Sequence, residues 1–171
     1  MANNLYTIGV TGHRHIPPER LPTLTEEIRK FYGEEIERHG NEGVAVLSSL
    51  AEGADTLCAK LALDAGMRLI VPLPMAVLDY RGDFSGPAAS EFDWLLSLAD
   101  QVFVAPPEEP VPANPPRGFH YRQAGIYVTK HCDILLAVWD RVERNTPDGA
   151  GTWETMKLAR KFEVPIRLMM V

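Results

Sequence analysis

The stretch LYTIGVTGHR at residues 5–14 decides how the rest of the sequence is interpreted. Its first part, residues 5–10, is a compact apolar run without strict polar alternation, which is typical of a strand buried on both faces of a parallel sheet. Gly12 follows in a polar turn, where a glycine lets the backbone approach a neighbour closely. We therefore expect a buried first strand that ends in a polar loop.

Outward from this run, short apolar segments alternate with segments of helical periodicity. The further apolar runs lie at residues 44–47, 67–71, 101–105, 134–139 and 165–171. The helical patterns lie at 23–39, with Thr23 as cap, at 53–65, at 90–99, with Ser90 as cap, at 118–131 and at 151–162. Residues 76–87 and the proline-rich residues 106–117 are predicted to be loops. This order predicts an α/β fold: a single doubly wound three-layer domain over residues 1–171, with a mostly parallel sheet of about six strands and helices on both faces.

Composition excludes several classes of protein. The longest apolar run has six residues, at 134–139, which is far too short to span a bilayer, and no secretory signal opens the sequence. The two cysteines, Cys58 and Cys132, have no CxxC or CxxH spacing, so we expect no disulfide framework, no metal site and a cytoplasmic location. A formal net charge of −6, without a basic run, makes nucleic acid an unlikely partner.

Three loops that follow predicted strands are rich in glycine, hydroxyl and charged residues. The residues that we expect to bind a ligand are Gly12, His13 and Arg14 in the first loop, Ser48, Ser49, Gly53 and Asp55 in the second, and Trp139, Asp140, Gly149, Gly151 and Thr152 around the third. Two of the loops lead directly into helices, whose free N-terminal amides favour an anion, and a guanidinium favours phosphate. The carboxyl ends of parallel strands meet at one edge of the sheet, so these loops predict a site for a phosphorylated small molecule.

Each of these residues also has a purely structural interpretation. Loops of glycine, serine and threonine before helices often serve as caps and turns. Asp55 and Asp140 are candidates for binding a ribose hydroxyl or for closing turns, and Trp139 for stacking on a base or for core packing. His13 and His15 alternate without a nearby acidic or cysteine partner, which favours ordinary loop residues over a metal site.

Four segments together resemble a known superfamily. They are GVTGHR at residues 9–14, SSLAEGAD at 48–55, IVPLP at 70–74 and the stretch from CDILLAVWD to GAGTWE at 132–154. Their order resembles the SLOG superfamily of Rossmann-like domains, which includes the LOG-type phosphoribohydrolases, the YpsA-like proteins and the Rossmann core of DNA-processing protein A. The resemblance implies a Rossmann-like fold for most of the chain.

The resemblance also implies two activities. The last loop is similar to the motif with which LOG-type enzymes hold a nucleotide and cleave its base from the ribose, which implies Glu154 and Arg122 as catalytic residues if this protein is an enzyme. However, Ala150 replaces a motif residue, Arg122 is displaced by two positions, and Glu154 comes one position early, which is about 100° on a helix. SSLAEGAD is similar to a motif of DNA-processing protein A, which binds single-stranded DNA.

We therefore expect binding, or sensing, of a nucleotide or nucleotide derivative, without a cofactor. The alternative is an enzyme that cleaves the N-glycosidic bond of a nucleotide, and single-stranded DNA binding ranks last because of the negative net charge. A homodimer is expected, since symmetric dimers are the commonest oligomers.

Overall fold

The structure, a computed structural model, describes residues 4–171 as one sheet with flanking helices. The strands are β1 Tyr6–Gly12, β2 Val44–Leu47, β3 Arg68–Leu73, β4 Gln101–Val104, β5 Ile134–Trp139 and β6 Ile166–Met170. The helices are α1 Leu21–His39, α2 Ala54–Asp64, α3 Val77–Arg81, α4 Pro87–Leu98, α5 Arg117–Lys130 and α6 Thr152–Lys161. A short 3₁₀ turn, Asn41–Gly43, precedes β2.

The sheet has six strands in the order β4-β3-β2-β1-β5-β6, and every neighbouring pair is parallel. The chain adds strands outward from β1 to β4, then returns through α5 to β5 on the other side of β1. Helix α2 packs against α1 and α4, whereas α5 packs against α6. The predicted Rossmann-like three-layer fold is confirmed, and the order of the strands reverses between β1 and β5.

The central strands are buried on both faces, as the apolar runs predict. All four residues of β2 are buried, and Ile8 of β1 and Leu136 of β5 are completely inaccessible. Phe92 of α4 is equally inaccessible, stacks on Phe84 with ring centroids 4.5 Å apart and meets the edge of Tyr80. Within residues 4–171, none of the helices combines the length and the apolar character that crossing a bilayer requires.

Several helix boundaries differ from the predicted ones. Helix α1 begins at Leu21 rather than after Thr23, and α4 begins at Pro87 rather than after Ser90. Both helices carry a proline in their first turn, where the missing N–H would have no intrahelical partner in any case. The predicted loop at 76–87 contains the short helix α3, whose Tyr80 is anchored in the aromatic cluster with Phe84 and Phe92.

Candidate functional site

A cleft of about 500 Å³ opens beyond the carboxyl ends of β1 and β5, where the strand order reverses. In parallel sheets, such reversal points leave a crevice between helices on opposite faces, and ligands bind there. The loops after β1, β2, β3 and β5 and the helix α5 all contribute to its wall. Its polar lining residues include Thr11, His13, Arg14, Ser49, Asp55, Tyr80, Tyr121, Thr146, Asp148, Thr152 and Thr155.

The loop that carries Arg14 is packed firmly onto the beginning of α2. The amide of Ala54 donates a hydrogen bond of 3.0 Å to the carbonyl of His13. A Cβ atom on Gly53 would lie 2.2 Å from the carbonyl oxygen of Arg14, and one on Gly12 would lie 2.4 Å from the Cβ of Ala54. Both glycines therefore serve close contact within the protein, which fixes the position of Arg14 in the cleft wall.

The turn between β2 and α2 is filled by the protein's own Asp55. The Ser48 hydroxyl lies 3.3 Å from Oδ2 of Asp55, to which it donates, and it accepts a 3.1 Å hydrogen bond from the amide of Leu50. The first amide of α2 already bonds to His13, as described above. The beginning of α2 therefore packs against the loop after β1 and a buried carboxyl group, and it is not an open site for a phosphate.

Burial strongly changes the acidity of this carboxyl group. Asp55 is only 7% exposed, and desolvation raises its pKa to about 7. The backbone at Ala51, the Ser48 hydroxyl and the charge of Arg14 act in the opposite direction, because they favour the charged form. Near neutral pH, Asp55 is therefore partly protonated, and the charge of Arg14 is only partly compensated.

The beginning of α6 is more open than that of α2. The amide of Gly151 donates to Glu154 Oε2 at 2.9 Å, and the amide of Ala150 donates to Thr146 Oγ1 and Asp148 Oδ1, each at 3.1 Å. Within residues 4–171, no acceptor contacts the next amides, those of Thr152 and Trp153. Thr152 lines the cleft, so its free amide and the positive end of the helix lie at the cleft wall, whereas Trp153 lies outside the lining.

Glu154 has a structural function in this helix. Its carboxylate accepts hydrogen bonds from the hydroxyl of Thr146 at 2.6 Å, from the amide of Thr146 at 3.1 Å and from the amide of Gly151. Burial acts to raise the pKa of Glu154, but these hydrogen bonds outweigh it, so that the pKa lies below its usual value. A carboxylate so engaged is a poor proton donor, and Glu154 does not line the cleft.

The structure brings together seven of the residues that the sequence singled out and leaves the others elsewhere. The seven that line the cleft are Gly12, His13, Arg14, Ser49, Asp55, Gly151 and Thr152. Those that lie outside the lining are Ser48, Gly53, Trp139, Asp140, Gly149, Glu154 and Arg122. In the loop at 140–151, Asp140 and Gly149 lie outside the lining, whereas Thr146, Asp148 and Gly151 line the cleft.

The residues outside the lining hold the loops in place. Asp140 lies 3.1 Å from the His13 ring and 2.8 Å from Arg144. Arg122 bridges Glu109, at 2.8 Å, and the carbonyl of Gly149, at 3.2 Å. The ring of Trp139 stacks on Trp153, with centroids 5.4 Å apart, and its indole N–H bonds to the backbone.

Sequence reasoning missed the two tyrosines of the cleft. Tyr80 is a residue of α3 and belongs to the aromatic cluster, and Tyr121 lies one turn into α5. The Tyr121 hydroxyl bonds to Asp83, whose carboxylate also pairs with Arg117, and Arg117 donates to the carbonyl of Asp79 at 2.8 Å. The three side chains fasten α3 to α5 beside the cleft. No short-range motif marks them, because Asp83 and Tyr121 are 38 positions apart.

The cleft does not have the composition of a metal site. From residue 4 to the end of the chain, no three His, Cys, Asp or Glu side chains gather closely enough to hold a metal ion. Its donors are instead a guanidinium, backbone amides and hydroxyl groups, which are the groups that bind phosphate oxygens.

Solved structures of DNA processing protein A share this fold. DNA processing protein A from Streptococcus pneumoniae is 16% identical, with a TM-score of 0.60 over 97% of this chain and 50% of that chain. DNA processing protein A from Helicobacter pylori, whose structure reveals a single-stranded DNA binding mode, is 14% identical, with a TM-score of 0.60 over 97% of this chain and 66% of that chain. The chain thus spans half of the first and about two thirds of the second. No protein-family model and no curated protein matches the chain.

These comparisons correct two expectations. The prediction that this protein binds or senses a nucleotide is wrong, since both neighbours are DNA-processing proteins. The low rank given to nucleic acid is also wrong, because one neighbour binds single-stranded DNA. The error came from judging DNA binding by the net charge, because a net charge sums over the whole chain and does not show where the charges lie. Residues 111–171 carry nine Lys and Arg against six Asp and Glu, whereas residues 1–110 carry eight against seventeen.

Proposed function

We propose that this protein binds single-stranded DNA, with a phosphate of the strand held in the cleft between β1 and β5. The fold supports this function, since it is similar to that of DNA processing protein A, one example of which binds single-stranded DNA. A place in the SLOG superfamily, which the motifs at 9–14 and 48–55 imply, is part of the same proposal. The position of Arg14 is the observation on which the proposal depends.

Arg14 has the properties of a phosphate-binding residue. Its side chain is exposed and lines the cleft, and among residues 4–171 it has no hydrogen-bond or ion-pair partner. Its backbone is fixed by the contacts of Gly53 and Ala54, so that little conformational freedom of the loop is lost on binding. A guanidinium presents a planar fork of donors that matches two phosphate oxygens.

The wall opposite Arg14 supplies further donors. Within residues 4–171, no acceptor contacts the amide of Thr152 at the positive end of α6, and Thr152 and Thr155 both line the cleft. A phosphate between Arg14 and α6 would receive charge-assisted hydrogen bonds from both sides.

Anisotropy of a fluorescent single-stranded oligonucleotide, titrated with protein at several salt concentrations, tests this function. We expect Arg14→Ala to weaken binding about tenfold and to reduce the salt dependence by about 0.7 in log–log slope, which is the value for one phosphate contact on a single strand. Arg29→Ala is the matched control, because Arg29 is an exposed α1 residue that pairs with Glu26 at 2.8 Å. That variant loses the same charge and should bind within about twofold of wild type.

Two results would reject the proposal. One is the absence of binding at low salt, where electrostatic affinity is greatest. The other is an equal effect of the Arg14 and Arg29 substitutions, which would show that only the overall charge matters. An unlabelled duplex of the same sequence, used as competitor, should displace the strand less well than the unlabelled single strand.

A further inference from the structure

A second cavity, of about 480 Å³, lies next to the cleft between the loop after β1 and the helices α2 and α4. Its less exposed lining is apolar and includes Ile16, Leu57 and Phe84. Its exposed lining contains the charged side chains of Arg14, Glu52, Lys60 and Glu91 together with His15, Leu21 and Pro87. The cavity therefore combines an apolar floor with a rim of both charges.

Arg14 connects this cavity to the cleft. It lines both spaces, and Gly53 lines the second cavity while Asp55, two residues later, lines the cleft. A strand whose phosphate pairs with Arg14 must place an adjoining nucleotide next to that side chain. The second cavity is the concave, partly apolar space available there.

The charges on the rim indicate which part of the nucleotide enters. Within residues 4–171, the carboxylates of Glu52 and Glu91 have no hydrogen-bond or ion-pair partner, and they would repel a phosphate. A carboxylate instead accepts hydrogen bonds from the exocyclic amino group of a base, as acidic residues do when they recognise cytosine. Adenine and guanine also carry such an amino group, but thymine does not. Apolar surface on Leu57 and Phe84 suits the ring of the base.

We propose that the second cavity is a nucleobase subsite that prefers bases with an exocyclic amino group over thymine. The proposal rests on the single-stranded DNA binding proposed above. It adds a base preference to a site that otherwise contacts only the phosphates of the DNA strand. Lys60 and Arg14, which also line this cavity, offset the two carboxylates, so that the neighbouring phosphate of the same strand is not expelled.

Oligonucleotides of deoxycytidine and of deoxythymidine, equal in length, test the subsite in the anisotropy assay at neutral pH. We expect the wild-type protein to bind the cytosine strand about fivefold more tightly, which corresponds to the lower end of the discrimination that a base contact gives. The double variant Glu52→Gln and Glu91→Gln should lose most of this preference, because a carboxylate accepts more strongly than an amide. The control is Glu26→Gln with Glu27→Gln on exposed α1, which makes the same charge change and should keep the preference.

A second variant blocks the cavity without changing charge. Ala88 lines the cavity from α4 and is partly exposed, so that Ala88→Leu fills space at the cavity wall without entering the core. It should lower the affinity for the cytosine strand to that for the thymine strand. Equal binding of both strands by the wild type, with Arg14→Ala still weakening both, would overturn the subsite and leave the proposed function intact. Loss of the Arg14 effect, or no binding at all, would overturn both.

Discussion

Replacing Asp55 by asparagine should remove a large part of the pH dependence of this protein's stability. The Asp55 carboxyl group is 7% exposed, and burial raises its pKa to about 7 against the opposing effects of the Ala51 backbone, the Ser48 hydroxyl and Arg14. In the unfolded chain the pKa returns to about 4. Between these two values, the folded protein holds a proton that the unfolded chain has released.

The sign and size of the effect follow from this difference. Because the folded state binds more protons, the free energy of unfolding decreases as the pH rises from about 4 to about 7, and it is then constant with respect to this group. Three pKa units at about 1.36 kcal/mol each give a loss of at most about 4 kcal/mol. For a chain of this length, that loss lowers the melting temperature by about 8 to 16 °C.

Thermal unfolding followed by circular dichroism across this pH range measures the effect. In the difference between the unfolding free energies of wild type and Asp55→Asn, the contributions of the other titrating groups cancel. This difference should change by several kcal/mol in favour of the variant as the pH rises. Asp64→Asn is the control, since Asp64 is exposed near the end of the same helix. A difference for Asp55→Asn that stays constant with pH would show that the buried carboxyl group does not titrate in this range, and it would refute the reasoning.

Three further substitutions test the packing that positions the cleft, each by urea denaturation. Gly53→Ala should destabilise the protein by at least about 2 kcal/mol, because its Cβ would lie 2.2 Å from the Arg14 carbonyl at a φ of 97°; wild-type stability would show that the loop relaxes freely. Glu154→Ala should cost about 1 to 2 kcal/mol through loss of the cap on Gly151 and Thr146, and an unchanged midpoint would contradict the capping function. Phe92→Ala should cost about 3 to 5 kcal/mol through the cavity left beside Phe84 and Tyr80, and a cost under 1 kcal/mol would mean that the aromatic cluster is loosely packed.

Part of the candidate site could be predicted because strand ends are visible in the sequence. Arg14 and Thr152 belong to the loops that follow β1 and β5, and the carboxyl ends of parallel strands must share an edge. Tyr121 could not be found in this way, because its place depends on how α5 lies against α3. The function of Glu154 could not be predicted from the sequence either, since an acidic residue in a first helical turn is compatible with both capping and catalysis.

Partnership with nucleic acid was misjudged for a related reason. Net charge is a sum over the whole chain, but a polyanion responds to the local field at the surface that it touches. A basic excess after residue 110 is present in the sequence, but in the folded chain Arg117, Arg122 and Lys130 pair with carboxylates from the earlier part. Arg14, by contrast, belongs to the acidic part of the chain, yet among residues 4–171 it has no hydrogen-bond or ion-pair partner.

The sequence alone determined the architecture, since apolar periodicity and glycine or proline boundaries act over a few residues and repeat six times along the chain. Only the tertiary structure decided which loop residues are available to a ligand. Asp55 and Arg14 both follow strands in the sequence and both line the cleft, but Asp55 is almost fully buried while Arg14 remains exposed. Burial and hydrogen bonding between distant segments settle that difference, and neither is encoded within a single motif.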